Sequence, residues 1–170
     1  MTQILLTERD MEFLRAVYFL EDDGGAVGPA RLGRALGVSR VTAMRAMRRL
    51  AAHGFGEYRP GLGLILNELG RREVERSIWR HHVVERLMTE SLGISCESAC
   101  DESSRIQFGL SDEFVEMAFE KMGKPANCHC GCAISPPYTP EGLDGCSWCR
   151  RLTEGRKGAK KGGGKGRKRR

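Results

Sequence analysis

Cysteines concentrated near one end of the 170-residue chain are its most reactive feature. Three of them alternate around one glycine in the stretch CHCGC, and two more follow shortly afterwards in CSWC. Thiolates at these spacings can converge on one ion, because glycine permits a tight turn and C-x-x-C is a common half of a metal site. The candidate metal ligands of this segment are Cys128, Cys130, Cys132, Cys146 and Cys149.

The spacing of these cysteines fits more than one metal centre. Four thiolates are enough for tetrahedral zinc or for a four-iron cluster, and spacing alone does not separate the two. His129 could replace one thiolate, and Cys96 and Cys100 lie four apart on a predicted helix from which they could join. In a reducing compartment such clusters bind metal more often than they form disulfides. We therefore expect zinc, another transition metal or an iron–sulfur cluster here.

The composition predicts a cytoplasmic protein. Hydrophobic residues make up 40% of the chain and charged residues 29%, and the apolar runs are too short to cross a bilayer. The first residues, MTQILLTERD, carry acids where a signal peptide needs an apolar region. No catalytic constellation and no phosphate-binding glycine loop is recognisable. We expect neither an enzyme with a small organic substrate nor a membrane partner.

The net charge of +6 is distributed unevenly. The terminal stretch RKGAKKGGGKGRKRR holds nine Lys and Arg and no acid, so the remainder of the chain carries about −3. A Gly/Lys/Arg tract cannot bury apolar surface, and residues 151–170 are therefore predicted to be a disordered basic tail. Such a tail would add salt-dependent attraction to nucleic acid, or it would only aid solubility.

The first third of the chain has the pattern of a winged helix. Residues 8–22 and 28–36 have helical patterns, and Ser39 can cap a third helix after the turn GVS. Two helices joined by a short glycine-containing turn are typical of a helix-turn-helix. The next stretch, FGEYRPGLGLILN, predicts a hairpin whose Pro60-Gly61 pair suits a type II turn. A hairpin directly after a helix-turn-helix would form the wing.

The third helix carries the predicted DNA-reading surface. Its apolar residues gather on one face, and the opposite face is basic and contains no acid. In this class of fold the third helix enters the major groove of double-stranded DNA with its N-terminal residues nearest the bases. Ser39, Arg40, Thr42, Ala43 and Arg45 are predicted to face the groove of an operator. Arg48, Arg49 and, at the wing tip, Arg59 are predicted to lie nearer phosphates.

Three further helices predict a second unit. Asn67 can cap a long helix over 68–92, followed by helices over about 96–108 and 112–122. DNA readers commonly dimerise through such a unit, so a homodimer is expected. The predicted fold class is mainly α with a small β-wing. It comprises a winged helix-turn-helix (1–70), a helical dimerisation and metal-binding unit (71–125), a Cys-rich segment (126–150) and the basic tail (151–170).

In this layout the chain resembles the metal-dependent repressors of the diphtheria-toxin-repressor/manganese-regulator family. The resemblance rests on MEFLRAVYFLEDDGG, ARLGRALGVSRVTAMRAMRRLAAHGFGEY, LGRREVERSIWRHHVVERLMTESLGI and GLSDEFVE. These stretches follow in one unbroken order over about residues 8–123. The resemblance implies a winged helix, a helical dimerisation domain, and repression triggered by a divalent transition metal such as zinc, iron or manganese.

The resemblance also implies one metal site on the long helix. The family uses a His and a Glu four residues apart there, which fall on His81 and Glu85 of this sequence. Their spacing places both on one helix face. A third ligand, a His in the family, falls on Cys100. A thiolate in place of an imidazole favours zinc, iron or cobalt over manganese.

The family's second, regulatory site departs from its pattern in this chain. Glu12 stands at one ligand position, but the other positions hold Ser104, Gln107 and Phe108, which are poor ligands. By contrast, CHCGCAISPP resembles the family's Cys-Pro-His-Gly corner with sulfur added. We therefore expect the Cys-rich segment to receive the metal input.

These observations predict a dimeric, metal-responsive regulator of transition-metal homeostasis, more specifically a repressor. Two alternatives remain at this stage. One is a DNA-binding regulator whose metal is purely structural. The other is an iron–sulfur or zinc-containing redox or adaptor protein that uses its winged helix for protein contacts.

Overall fold

Six helices and one hairpin make up the computed structural model, which describes residues 6–21, 25–139, 141–143, 145 and 148–151. The mainly α fold with a two-stranded wing confirms the predicted class. In chain order the elements are α1 Glu8–Leu20, α2 Pro29–Leu36, α3 Arg40–Ala52, β1 Gly56–Arg59, β2 Gly63–Leu66, α4 Glu68–Leu92, α5 Cys96–Ile106 and α6 Asp112–Lys121. The predicted basic tail lies outside the described residues, apart from Arg151.

Side-chain caps set the helix boundaries. The Ser39 hydroxyl accepts a hydrogen bond from the Thr42 amide at 3.0 Å and begins α3. Asn67 begins α4 in the same way, and the left-handed backbone of Gly93 (φ 65°) ends it. The predicted limits of α4 are therefore confirmed. By contrast, α5 stops at Ile106, earlier than expected, because the chain tightens into a short 3₁₀ turn.

The wing is built as its sequence predicts. Strands β1 and β2 pair antiparallel, and the Leu62 amide donates to the Arg59 carbonyl at 3.1 Å across the turn. Gly61 has a φ of 82°, which a type II turn requires at this position. Val27 pairs with Leu64 through two backbone hydrogen bonds of 2.9 and 3.1 Å, so the start of α2 is fastened to the wing.

Helix α1 joins the winged helix to the rest of the molecule. Its apolar side is fully buried with α2 and α3, and the buried Asp10 pairs with Arg49 of α3. Its other side meets α4, where the Arg15 guanidinium donates to Ser77 at 3.2 Å. The Tyr18 hydroxyl donates to Glu75 of α4 at 3.0 Å. Helix α1 therefore contacts both the winged helix and α4.

Helix α4 organises the second half of the chain. Arg80 donates to the carbonyl of Gln107 at 2.6 Å and pairs with Asp112 at the start of α6. Trp79 packs edge-to-face on Phe119 of α6, with ring centroids 5.8 Å apart. Within the described residues, no helix is long and apolar enough to cross a membrane.

Candidate metal centre and nucleic-acid interface

The N-terminal half of α3 presents a polar and basic surface to solvent. Ser39, Arg40, Thr42 and Arg45 are exposed there, as predicted for residues that face DNA. The hydroxyls of Ser39 and Thr42 lie 2.8 Å apart and hold each other in place. The structure thus puts two paired hydroxyls and two exposed guanidinium groups on one surface, which suits combined readout of bases and phosphates.

Two of the predicted DNA-facing residues have other positions. Ala43 is fully buried, so the prediction that it faces the groove is wrong: its methyl group packs on the apolar side of α3. Arg49 is directed towards α1, where its Nε lies 2.7 Å from Oδ1 of Asp10. Its guanidinium is therefore occupied by an internal ion pair that holds α3 against α1.

The two remaining arginines lie near the wing. The guanidinium carbon of Arg48 lies 5.3 Å from the ring centroid of Tyr58, a cation–π contact that leaves the arginine exposed. Arg59 ends β1 and is held by Glu57 in a two-pronged pair with both distances at 2.9 Å. Because these contacts are on the surface, both side chains remain within reach of a phosphate.

A first set of metal-binding donors lies between α4 and α5. His81 and Glu85, one turn apart on α4, meet Cys100 of α5, and all three side chains are fully buried. The Sγ of Cys100 lies 3.3 Å from Nε2 of His81 and 3.7 Å from Oε2 of Glu85. One ligand atom of each residue lies within 4.8 Å of the others. We call this set the His81 triad.

The His81 triad has the electrostatic character of a ligand set. Burial, followed by the nearby His82 and the Arg15 guanidinium, holds the pKa of His81 well below its ordinary value, so its imidazole is neutral and able to coordinate. Among the described residues, Nδ1 of His81 and Oε1 of Glu85 are buried without a hydrogen-bond partner. Each such atom costs about 1–3 kcal/mol, a cost that an ion bound by these residues would offset.

The cysteine segment folds back on itself as a small hairpin. Residues 127 and 133 pair, and the Cys128 amide donates to the Cys132 carbonyl at 2.9 Å. Gly131 has a φ of 86°, as the predicted tight turn requires. A Cβ on Gly145 would lie 1.9 Å from the Cys130 carbonyl oxygen, so the returning chain passes directly over this turn. We call residues 127–133 the cysteine hairpin.

A second set of donors joins the cysteine hairpin to α4. Ligand atoms of His82, Cys128 and Cys132 lie within 4.8 Å of one another, and all three residues are buried. The Sγ of the fully buried Cys149 lies 3.0 Å from Nε2 of His82. A hydrogen bond to the Cys132 thiol, together with burial, raises the pKa of Cys128. A third, overlapping group joins Glu85, Cys128 and Cys130.

The structure therefore divides the predicted metal ligands. Cys128, Cys130 and Cys132 meet α4, whereas the side chain of the exposed His129 lies 3.8 Å from Glu90 instead. Cys146 lies outside the described residues. In the part of the chain that the structure describes, Cys96 belongs to none of the donor sets.

His82 is the donor that sequence reasoning missed. The resemblance assigned a ligand position to the first histidine of the pair in WRHHVV, and no role was predicted for the second. The direction of its side chain relative to His81 could nevertheless be inferred, because successive residues on a helix point about 100° apart. Two histidines in succession on a buried helix face can each serve a different donor set.

Two of the positions that the resemblance assigns to the regulatory site line a cavity in this chain. Glu12 pairs with Arg9 at its rim, and Phe108 is partly exposed. Gln107 donates its amide to the Ser104 carbonyl at 3.5 Å. Glu12 and Ser104 line a cavity of about 370 Å³ that is also lined by Arg15, Trp148 and Arg151. These residues do not fit a transition-metal site, because two arginines stand among too few donors.

Trp148 closes this cavity from the cysteine side. Its ring stacks on the His81 imidazole with centroids 3.6 Å apart and planes 7° from parallel. The guanidinium carbon of Arg15 lies 5.2 Å from the indole centroid. The buried Trp148 thus touches a residue of the His81 triad on one side and a residue of α1 on the other.

A winged helix with an exposed basic α3, followed by helices that carry buried His, Cys and Glu donors, defines a metal-binding DNA-binding protein. Comparison with known families agrees with this class. The model "Iron dependent repressor, N-terminal DNA binding domain" matches residues 5–64. The model "Iron dependent repressor, metal binding and dimerisation domain" matches residues 67–136. The chain belongs to this family of metal-dependent transcriptional repressors, which are regulators rather than enzymes, and the resemblance seen in its sequence is confirmed.

Individual relatives support the assignment. The diphtheria toxin repressor of Corynebacterium efficiens is 29% identical over 78% of this chain and 57% of its own. An uncharacterized HTH-type transcriptional regulator of Methanocaldococcus jannaschii is 24% identical over 62% of this chain and 85% of its own. The fold is shared with a hypothetical protein from Sulfolobus solfataricus, with a TM-score of 0.69 at 22% identity, covering 77% of this chain and all of that one.

Proposed function

We propose that the chain acts as a homodimeric repressor of transition-metal homeostasis whose binding to an operator depends on metal at the His81 triad. The proposal assigns DNA reading to residues 1–70, dimerisation and metal binding to 71–125, and metal binding also to the Cys-rich segment 126–150. The observation that carries it is the convergence of three buried donors of three chemical types at one point between α4 and α5.

The donor types indicate the class of metal. One imidazole, one carboxylate and one thiolate suit zinc or ferrous iron better than manganese, which prefers oxygen ligands. When bound, the ion would supply a positive charge that holds α4 and α5 together. His81 and Cys100 would bind it, and Glu85 would neutralise part of its charge. Because α4 also contacts α1, a change at this point is passed to the winged helix.

DNA binding is assigned to the exposed side of α3 and to the wing. Ser39, Arg40, Thr42 and Arg45 would meet the major groove, and Arg48 and Arg59 would meet phosphates. Two copies of α3 must reach successive turns of the groove, about 34–36 Å apart, to read a two-part operator. The metal would favour the arrangement of the dimer in which this spacing is satisfied.

An exposed apolar surface near α6 supports dimerisation. Ile106, Phe108, Phe114 and Met117 are between 39% and 54% exposed. Four large apolar side chains in solvent within about a dozen positions are unusual for a monomer. A second copy of the chain, bound through the same surface by two-fold symmetry, would cover them.

The proposal is tested by measuring operator binding against metal concentration. The operator is first selected from random duplexes with the zinc-loaded protein, and its affinity is then measured by fluorescence anisotropy. We expect His81→Gln to abolish the zinc-dependent gain in affinity, because a primary ligand is lost. The matched control is His53→Gln, which removes a partly buried histidine that lies outside every donor set of the described residues.

Each outcome separates two functions. A metal-dependent gain in the wild-type chain that is lost in His81→Gln and kept in His53→Gln supports the proposal. Equal affinity with and without metal would contradict it and would favour a regulator with a purely structural metal. Failure to select any duplex at micromolar protein would favour an adaptor that uses the winged helix for protein contacts.

A further inference from the structure

A second metal site, separate from the His81 triad, is built where the cysteine hairpin meets α4. We propose that His82, Cys128, Cys132 and Cys149 hold one zinc ion, and that this site clamps Trp148 between His81 and Arg15 so that the C-terminal segment is fastened to α1. We call these four ligands the His82 site. The proposal of the zinc site does not depend on DNA binding. Its effect on operator binding through α1 rests on the proposed function.

The geometry favours a single ion. Three donor atoms lie within 4.8 Å of one another, and Cys149 contacts the same imidazole at 3.0 Å. One imidazole and three thiolates make a four-coordinate set that is common for structural zinc. His82, Cys128 and Cys132 bring their donor atoms close enough together for one ion, and Cys149 is assigned as the fourth ligand from its contact with the same imidazole.

The ligands come from three parts of the chain that are distant in sequence. His82 belongs to α4, the hairpin supplies two thiolates, and Cys149 follows the loop that returns over the hairpin. Among the described residues of this loop, the regular structure is the 3₁₀ turn Glu141–Leu143, and a bond from Cys149 to metal would add a second point of attachment. Trp148 is adjacent to Cys149 in sequence, and a ligand at 149 therefore determines where the indole lies.

The indole lies in the cavity that two of the regulatory-site positions line. Trp148 and Arg15 line the same cavity as Glu12 and Ser104, two positions of that site. In the family, ligands at these positions join the first helix to the later helix. Here Arg15 of α1 is buried, donates to Ser77 of α4, and lies over the indole. The contact of Arg15 with Trp148 therefore makes the connection that Ser104, Gln107 and Phe108 cannot make through metal.

Metal content and cobalt spectra test the site. Wild-type protein purified without added chelator should contain tightly held zinc. His82→Ala and Cys149→Ser should each lose it, with affinity falling by more than the roughly 10–100-fold that loss of an outer-shell partner costs. Cys146→Ser and His129→Ala are the controls and should keep it. His82→Cys should restore binding, and its cobalt(II) form should show stronger thiolate charge-transfer absorption than the wild-type form.

Some results would overturn the assignment of ligands. Zinc kept in Cys149→Ser but lost in Cys146→Ser would mean that the fourth ligand is Cys146. Acid-labile sulfide with brown colour in anaerobically prepared protein would mean a cluster instead of zinc. If His82→Ala does not fold, the cobalt(II) spectrum of His82→Cys still shows whether residue 82 is a ligand. A fourth thiolate changes the absorption only if it binds the metal.

The clamp is tested separately by Trp148 fluorescence. In a Trp79→Phe background Trp148 is the only tryptophan. Removal of the tightly held zinc should shift its emission to longer wavelength, because the indole leaves its buried position. An unchanged spectrum after verified zinc loss would overturn the clamp but leave the zinc site standing.

The coupling to DNA is read from operator affinity. Trp148→Ala should keep zinc at the His82 site and weaken operator binding by roughly 5–150-fold, the usual range of coupling between sites. Unchanged operator affinity would overturn the coupling. Loss of metal response in His81→Gln alone, with operator affinity unchanged in Trp148→Ala, would leave the proposed function intact and refute only the coupling of Trp148 to DNA binding.

Discussion

Arg49 is expected to contribute to stability, whereas its neighbour Arg48 is proposed to contribute to DNA binding. The two arginines are adjacent in α3, yet Arg49 points at α1 and pairs with Asp10. We therefore predict that Arg49→Gln lowers the free energy of unfolding and leaves the salt dependence of DNA binding unchanged. Arg48→Gln should leave the free energy of unfolding unchanged and reduce the salt dependence of DNA binding.

The size of the effect follows from the pair's environment. Asp10 is 4% exposed and accepts hydrogen bonds from Arg49 and from the Thr7 hydroxyl, the latter at 2.7 Å. A hydrogen bond to a charged group is worth about 1.5–3 kcal/mol when buried, but the Arg49 side chain is 45% exposed, which reduces its share. A loss of about 2 kcal/mol is expected, or a fall in Tm of about 4–8 °C.

The pH dependence of this stabilisation has a definite sign. Burial raises the pKa of Asp10, but hydrogen bonds from Thr7 and Arg49 outweigh it and place the pKa below its ordinary value of 3.8. A carboxylate with a lowered pKa contributes stability above that ordinary value and loses it as pH falls through the folded-state pKa. The difference between wild type and Arg49→Gln should therefore be full near pH 6 and shrink below about pH 4.

Two assays separate the roles of the neighbours. Urea unfolding gives the stability difference at each pH. Anisotropy titrations between low and moderate salt give the slope of log K against log salt, which should fall by about 0.9 per chain for each lost phosphate contact. If Arg49→Gln reduced this slope as much as Arg48→Gln and left unfolding unchanged, the assignment of Arg49 to the α1–α3 contact would be refuted.

Four further substitutions, one of them a control, probe other parts of the molecule. Met117→Glu should convert the dimer to monomer in light scattering, because it places a charge in the proposed interface. Gly63→Ala should cost about 1–3 kcal/mol in urea unfolding, since its Cβ would lie 1.9 Å from the Val27 carbonyl oxygen at a φ of 128°. Gly109→Ala, with open space around it, should be neutral in the same assay. Gly145→Ala should lower zinc content, because the returning loop could no longer pass over the cysteine hairpin.

Elements bounded by local chemistry were predictable from the sequence. Asn67 accepts from a backbone amide three residues on, and Pro60-Gly61 determines its own turn, so α4 and the wing appear with the expected limits. Ala43 was misassigned for the opposite reason. On a helix with many small residues, the boundary between the buried and exposed faces depends on what packs there, which the 3.6-residue period alone does not give.

The chemical types of the candidate metal ligands were predictable from the sequence, but only some of the residues in each candidate site were. His81, Glu85 and Cys100 could be assigned by position, because helix spacing and resemblance agree on them. The contact of the cysteine hairpin with His82 could not be predicted. Contact between residue 82 and residues 128–149 depends on how a loop folds back over α4, and no periodicity in either segment records that pairing.

The carboxylate of Glu85 belongs to two donor sets, the His81 triad and the group with Cys128 and Cys130. It contacts Cys100 through Oε2, and it also lies within 4.8 Å of ligand atoms of Cys128 and Cys130. A cation bound on one side withdraws negative charge from the other side, and two cations so close repel each other. Filling of the two sets is thus expected to be anticooperative, and by linkage the penalty is mutual. A regulator built this way would respond over a wider range of metal concentration than one with independent sites of equal affinity.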